Sequence, residues 1–273
     1  MDLKFRKIHF DSRMKSSGTH SQFEYNLAEP FDTPEGTICY VDNVSIPHTW
    51  YSVDSWNQNM YVAEKVSNTH TVRLVTVPVA SYSVNTLKSG LETALNTNRP
   101  ANIGAYTVAY TSSTNKLAIA CAANCLMHVL TDDEIKLYDQ ALLVINKGDP
   151  KSFNGVIRNR EGFEGTSAQS YTYTDLFTSG SLDIIAHHNV YIHSSIASFN
   201  TLGPIGQSDI ICKCPVNVNF GTIINHNVSS AQDFSYVGKR TLSNISFSIR
   251  DAYGHLIDLQ GASWSLSLTF AVE

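Results

Sequence analysis

"SWSLSLTF", residues 263–270, alternates apolar and hydroxyl side chains almost without error. Trp264, Leu266, Leu268 and Phe270 share one parity, and Ser263, Ser265, Ser267 and Thr269 share the other. Successive side chains on a β-strand point to opposite faces, so the stretch predicts a strand with a continuous apolar row facing a core. The hydroxyl row then faces outward, where it can be solvated or packed against other protein at small desolvation cost.

The same period recurs upstream. "LSNISFSIR" (242–250) and "LIDL" (256–259) read as strands around "RDAYGH", where Asp251 and Gly254 suit a tight turn. "LDIIA" (182–186), "NVYIHS" (189–194) and "DIICKCPVNVNF" (209–220) read likewise. Near the N-terminus, Phe23, Tyr25 and Leu27 share one face of "QFEYNL", and Tyr40, Val44 and Ile46 share one face of "YVDNVSI", which Pro47 ends. "TVRLVTV" (71–77) is apolar on both faces up to Pro78, and "YTVAYTSSTNKLAIA" (106–120) reads as a hairpin.

Two segments break the pattern. Val84, Leu87, Leu91 and Leu95 recur at three and four residues behind Ser83 as N-cap, which predicts a helix over 84–96. Thr131 and Glu134 form a capping box before Ile135 and Leu142, which predicts a short helix over 132–143. Residues 148–180, rich in Gly, Ser and charge, follow neither period and read as a long loop. Strands about ten residues apart, joined by hairpins and long crossovers, indicate an all-β antiparallel sandwich or jelly roll, with one or two short helices in inserted loops. At 273 residues, one domain is the default.

Charged residues are only 16% of the chain, so its surface must be built largely from neutral polar groups, which suits packing against protein. A net charge of −5 argues against nucleic-acid binding through bulk charge. The local exception is the N-terminus, where Lys4, Arg6, Lys7, Arg13 and Lys15 outnumber Asp2 and Asp11; it reads as a solvated strand and arm, or as an arm touching an acidic partner. Residues 118–130 fall short of a membrane span and are interrupted by Asn124 and His128. "MDLKFRKIHF" lacks the apolar stretch of a signal peptide, so the expectation is a chain starting at Met1 and folding in a reducing compartment. Five cysteines, an odd number, give no disulfide framework, and neither Cys121/Cys125 nor Cys212/Cys214 has zinc-knuckle spacing; buried free thiols are expected.

Catalytic signatures are missing. His187 and His193 share a strand face in "HHNVYIH" but stand roughly 20 Å apart at about 3.3 Å per residue, too far to share a metal. There is no GxSxG elbow, "GTSAQS" and "GPIGQ" lack the lysine of a phosphate loop, and Asp132 and Asp133 suit a helix N-terminus. The sequons at Asn43, Asn227 and Asn244 matter only in a secreted chain, and two of them fall in predicted strands. Trp50, Tyr51 and Trp56 in "HTWYSVDSW" form either core packing or a sugar-stacking platform.

Taken in order, "FDSRMKSSGTHSQFEYNL", "NVSIPHTWYSV", "VPVASYSVNTLKSGLETALN" with "YTVAYTSSTNKLAI", "NVYIHSSIASFNTLG" and "LSNISFSIRDAYGHLIDLQGASWSLSLTF" resemble the penton, or minor capsid, protein of virophages, Polintons, adintoviruses and related eukaryotic DNA viruses. The resemblance spans nearly the whole chain, and its C-terminal part carries it furthest. It implies a single upright jelly roll over 1–273, with an N-terminal arm over about 1–20 and a helix-containing insertion over about 80–180. Five copies would occupy each five-fold vertex of an icosahedral virion, among double jelly-roll major capsid proteins and any fibre, cement or internal proteins. No catalytic, cofactor-binding or metal-ligating residue is expected, and no specific nucleic acid. A carbohydrate-binding jelly roll using Trp50, Tyr51 and Trp56 is the alternative, and a metal-dependent jelly-roll enzyme the third reading.

Overall fold

The computed structural model describes residues 5–122, 125–137, 153–159, 162, 164–165, 167–197, 201–227 and 234–272. The chain opens with β1 (Phe5–Asp11), β2 (Ser17–Gly18), β3 (Gln22–Thr33) and β4 (Thr37–Pro47). Next come β5 (Asn59–Val66), β6 (Thr69–Thr76), helix α1 (Val84–Asn96), β7 (Tyr106–Thr111), β8 (Lys116–Cys121) and β9 (Leu126–Val129). Helices α2 (Asp132–Leu137) and α3 (Phe153–Ile157) precede β10 (Leu176–Thr178). The last strands are β11 (Asn189–Ser194), β12 (Ile210–Pro215), β13 (Ile223–Asn227), β14 (Phe234–Tyr236), β15 (Arg240–Arg250) and β16 (Ser265–Val272). By internal contacts the chain forms two compact units, Met1–Trp50 with His187–Glu273, and Tyr51–Ala186.

The first unit is the jelly roll. One antiparallel sheet runs β1-β16-β4-β13, with β14 also on the β13 edge of β4; the other runs β12-β11-β15-β3-β2. Number its eight principal strands in chain order, leaving β2 and β14 aside, and the first sheet reads 1-8-3-6 and the second 2-7-4-5. That interleaving is the double Greek key of a jelly roll. The sheets meet through aromatic side chains: Phe10 lies 4.9 Å from Phe247, Phe23 lies 5.6 Å from Trp264, and Phe31 lies 5.1 Å from Phe270. The inward row read from "SWSLSLTF" is correct, since Trp264, Leu266, Leu268 and Phe270 are all buried.

Several expectations are corrected here. Tyr40 does not share a face with Val44: the β16–β4 register shifts so that Ser267 pairs with Asn43 while Leu268 pairs with Val41, leaving Asp42 as an extra residue. This bulge reverses the parity, so Cys39 and Val41 are buried upstream of it and Val44 and Ile46 downstream. Residues 5–11, assigned to an N-terminal arm, are the first jelly-roll strand, paired with β16 along its whole length. "LIDL" buries Ile257 and Leu259 but joins no ladder beyond one isolated bridge, Arg250 to Leu256. "LDIIA" is not a strand either; the Leu182 and Asp183 amides donate to the carbonyls of Asn115 and Val156. The strand expected over 209–220 ends at Pro215, after which the Val216 amide adds one more bond, to the His188 carbonyl.

The turn at Asp251 is as expected: its carboxylate accepts from the Tyr253 and His255 amides, and Gly254 takes φ of 83°. An L side chain rarely adopts that φ.

The second unit begins at Tyr51, earlier than the expected insertion at about 80, because β5 and β6 belong to it rather than to the jelly roll. It holds two three-stranded sheets, β6-β5-β9 and β10-β8-β7. Helix α1 has the expected bounds, its Ser83 hydroxyl accepts from the Thr86 amide, and Leu87, Leu91 and Leu95 are completely buried. Thr131 and Glu134 bond reciprocally at the start of α2; the rest of the helix expected to 143 lies outside the described residues. The long-loop segment contains α3 and β10, and its start, 148–152, lies outside the described residues.

Within this unit a buried ionic network ties four elements together. Glu64 on β5, with a fully buried side chain, accepts from Arg73 on β6 at 2.7 Å and from the Tyr106 hydroxyl on β7 at 2.7 Å. Arg73 also donates to the Leu95 carbonyl at 2.9 Å, in the last turn of α1. Burial, with Glu64 adjacent, pushes the Tyr106 phenol well above its ordinary range, so it remains a donor.

Candidate functional site

One polar feature of the jelly roll is the outer face of its first sheet. Ser267 pairs with His9 on one side and Asn43 on the other, and Thr269 with Lys7 and Tyr40. His9 Nδ1 and Ser267 Oγ are hydrogen-bonded at 2.8 Å. Farther across, Asn43 donates to Asn227 Oδ1 at 2.6 Å and Ser45 to Asn225 Oδ1 at 2.9 Å. Lys7 and Asp42, on strands flanking β16, form an ion pair at 2.5 Å, so their side chains cross over the outward face of β16. The face is a ladder of hydroxyl and amide groups with its charges paired.

The outward row of "SWSLSLTF" is therefore less open than the sequence implies. Ser267 is 8% exposed and Thr269 1%. Small side chains on an inner strand are shaded by longer ones on both neighbours. Ser267→Glu, which an open row would tolerate, is expected to lower the stability of the isolated subunit by about 1–3 kcal/mol, because it replaces the His9 bond and puts a carboxylate in a nearly closed site. Chemical denaturation of the purified variant measures this, and an unchanged midpoint would mean the row is open.

At one end of the same unit, apolar loop residues stand in solvent. Leu202 is 83% exposed, Ile205 61% and Leu256 42%. The ideal Cβ position at Gly254 lies 3.3 Å from Ile205, so the loops around 205 and 254 are neighbours. Isolated exposed apolar residues are ordinary, but grouped ones mark contact surfaces.

The other candidates from the sequence fall elsewhere. Trp50 is 3% exposed and lies 4.4 Å from the His48 ring, so it cannot offer a face to a sugar; Tyr51 is half-buried and Trp56 partly exposed. That removes the central residue of the carbohydrate-binding alternative. Burial holds His48 below the ordinary imidazole range, and its Nδ1 meets the Val218 carbonyl at 3.0 Å. His187 is buried near Trp50, His193 bonds Asp209 at 2.7 Å, and His188 is exposed, so the three do not converge. Asp132 accepts from Asn154 at 3.0 Å at the start of α2. Asn43, Asn227 and Asn244 all lie in strands. Among the N-terminal basic residues, Arg6 sits over the Phe31 ring, Lys7 pairs with Asp42 and Arg13 with Asp11, so these three are occupied within the chain.

All five cysteines are free and buried. Burial pushes the Cys39 and Cys121 thiols up to about 12, as expected of inert core groups. Cys212 and Cys214 differ, because His226 from another strand joins them, with the three ligand atoms within 4.8 Å of one another. In the sequence only the Cys-x-Cys spacing of Cys212 and Cys214 is visible. The third member sits twelve residues later in "IINHN", a short polar strand with a weak pattern.

No family model matches the sequence, and no curated protein matches it. Among solved structures, the chain is similar to the crystal structure of the selenomethionine-labelled mavirus penton protein, with a TM-score of 0.56 and 11% identity. The likeness covers 98% of this chain and 99% of that one. At such identity it is a likeness of fold, and it agrees with the antiparallel jelly roll described above.

Proposed function

We propose that this chain is a structural virion protein, a penton capsomer whose five copies close each five-fold vertex of an icosahedral capsid. The observation that carries this reading is the end-to-end likeness in fold to a penton protein, which takes in the second unit as well as the jelly roll. The surface agrees with it. A ring of identical subunits needs heterologous contacts, one patch of each copy meeting a different patch of the next. A neutral hydroxyl and amide face can be buried there without stranding a charge, and exposed Leu202, Ile205 and Leu256 supply apolar area for a neighbour.

In this reading the chain has no catalytic role. Its partners are four further copies of itself, the surrounding double jelly-roll capsomers, and fibre, cement or internal proteins that meet the vertex. Native mass measurement of the purified chain tests the assembly step. A species of five times the 30.1 kDa chain mass is expected as concentration rises. A monomer at every accessible concentration would overturn the proposal.

A further inference from the structure

Cys212 and Cys214 are two residues apart on β12, so both side chains leave the same face, and they are buried at 7% and 0% exposure. Their sulfurs are 3.6 Å apart. His226 is on β13 with the same parity as buried Ile224, facing inward, and is half-buried. Strand β12 is an edge of the second sheet and β13 an edge of the first. The cluster therefore spans the two sheets along one open margin of the sandwich.

The spacing fits a metal better than a disulfide. A disulfide needs sulfurs about 2.05 Å apart with a Cβ–S–S–Cβ dihedral near 90°. Two side chains leaving one face of an extended strand in parallel do not meet that geometry without bending it. A tetrahedral zinc with Zn–S near 2.3 Å and Zn–N near 2.0 Å has sulfur–sulfur edges of about 3.7 Å and sulfur–nitrogen edges of about 3.5 Å. The observed sulfur–sulfur separation is already at that value.

We propose that Cys212, Cys214 and His226 bind Zn²⁺, which clasps the free edges of the two jelly-roll sheets. Two thiolates and a neutral imidazole fill three tetrahedral positions, with the fourth open to solvent on the half-buried His226 side. The two thiols release their protons to solvent on binding, and no oxidant or reductant takes part. Soft thiolates with one imidazole favour such a d¹⁰ ion over Mg²⁺ or Ca²⁺. The site departs from the sequence expectation of free thiols at these positions, and it does not depend on the proposed capsid role.

The test uses the full chain, reduced, stripped with chelator, reloaded with Zn²⁺ and desalted, with metal content read by elemental analysis. One zinc per chain and a raised melting temperature are expected for the wild type and for Cys121→Ser. Loss of both responses is expected for Cys212→Ser and for His226→Gln. Cobalt loaded into the wild-type chain should show thiolate-to-metal charge-transfer absorption, which keeps the test decisive if a variant fails to fold. Retention of zinc by both variants, a wild-type chain that holds none, or an oxidised Cys212–Cys214 pair in place of metal would overturn the proposal.

Discussion

Leu268→Asp is expected to yield no folded subunit. Leu268 is 1% exposed in the middle of β16, which lies between β1 and β4 and carries the apolar row facing the second sheet. The substitution removes a buried aliphatic side chain and puts a carboxylate into an apolar layer where the same-face cation, Arg6 opposite Phe270, is already stacked on the Phe31 ring. The expected cost, on the order of 5 kcal/mol or more, is comparable to the whole stability of an ordinary domain. Circular dichroism and size-exclusion chromatography of the purified variant measure it. A cooperative melt near that of the wild type would mean that β16 is not a core strand.

Arg73→Met is expected to destabilise the second unit by about 3–5 kcal/mol, because it leaves the fully buried Glu64 carboxylate without its cation. The loss extends beyond the pair, since Arg73 also holds the Leu95 and Thr97 carbonyls at the end of α1. Adding Glu64→Gln in the same chain should recover part of the loss, because a neutral amide can still accept from Tyr106 and leaves no isolated charge. Equilibrium unfolding of both variants measures the difference. A double variant no more stable than Arg73→Met would show that packing of the arginine stem, rather than charge, sets the cost.

Much of this fold was legible in local pattern. Strand β16, helix α1 with its Ser83 cap, the β7–β8 hairpin and the Asp251 turn each carry their own signal within a few residues. What was hidden depends on neighbours. The bulge at Asp42 shifts the face of Tyr40 without any mark in "YVDNVSI", because the extra residue exists only relative to β16. The N-terminus reads only as a solvated strand and arm, because Arg6 falls on the inward face of β1 and Phe5 on the outward one, and the partner that accommodates Arg6, Phe31, lies on another strand. "LIDL" and "LDIIA" have the composition of strands but form no ladder: the Ile257 amide donates to the Ile249 carbonyl on β15, and the Leu182 and Asp183 amides to the carbonyls of Asn115 and of Val156 in α3.

The candidate sites divide in the same way. The aromatic cluster around Trp50 allows core packing or a platform, and its burial decides for core packing. The outer hydroxyl row was foreseen as a surface, but its shading by Lys7, His9 and Asp42 was not, since it needs the order of three strands. The Cys212, Cys214 and His226 group was out of reach for a related reason: two of its members are near neighbours in sequence, while the third comes from the edge of the opposite sheet.

A cryo-electron microscopy map of assembled particles containing this protein tests the central claim most directly. The account predicts five copies of this chain around each five-fold axis, with the 1-8-3-6 and 2-7-4-5 sheets of the jelly roll resolved in every copy. Vertex density filled by a different chain, with this protein absent from the shell, would contradict it.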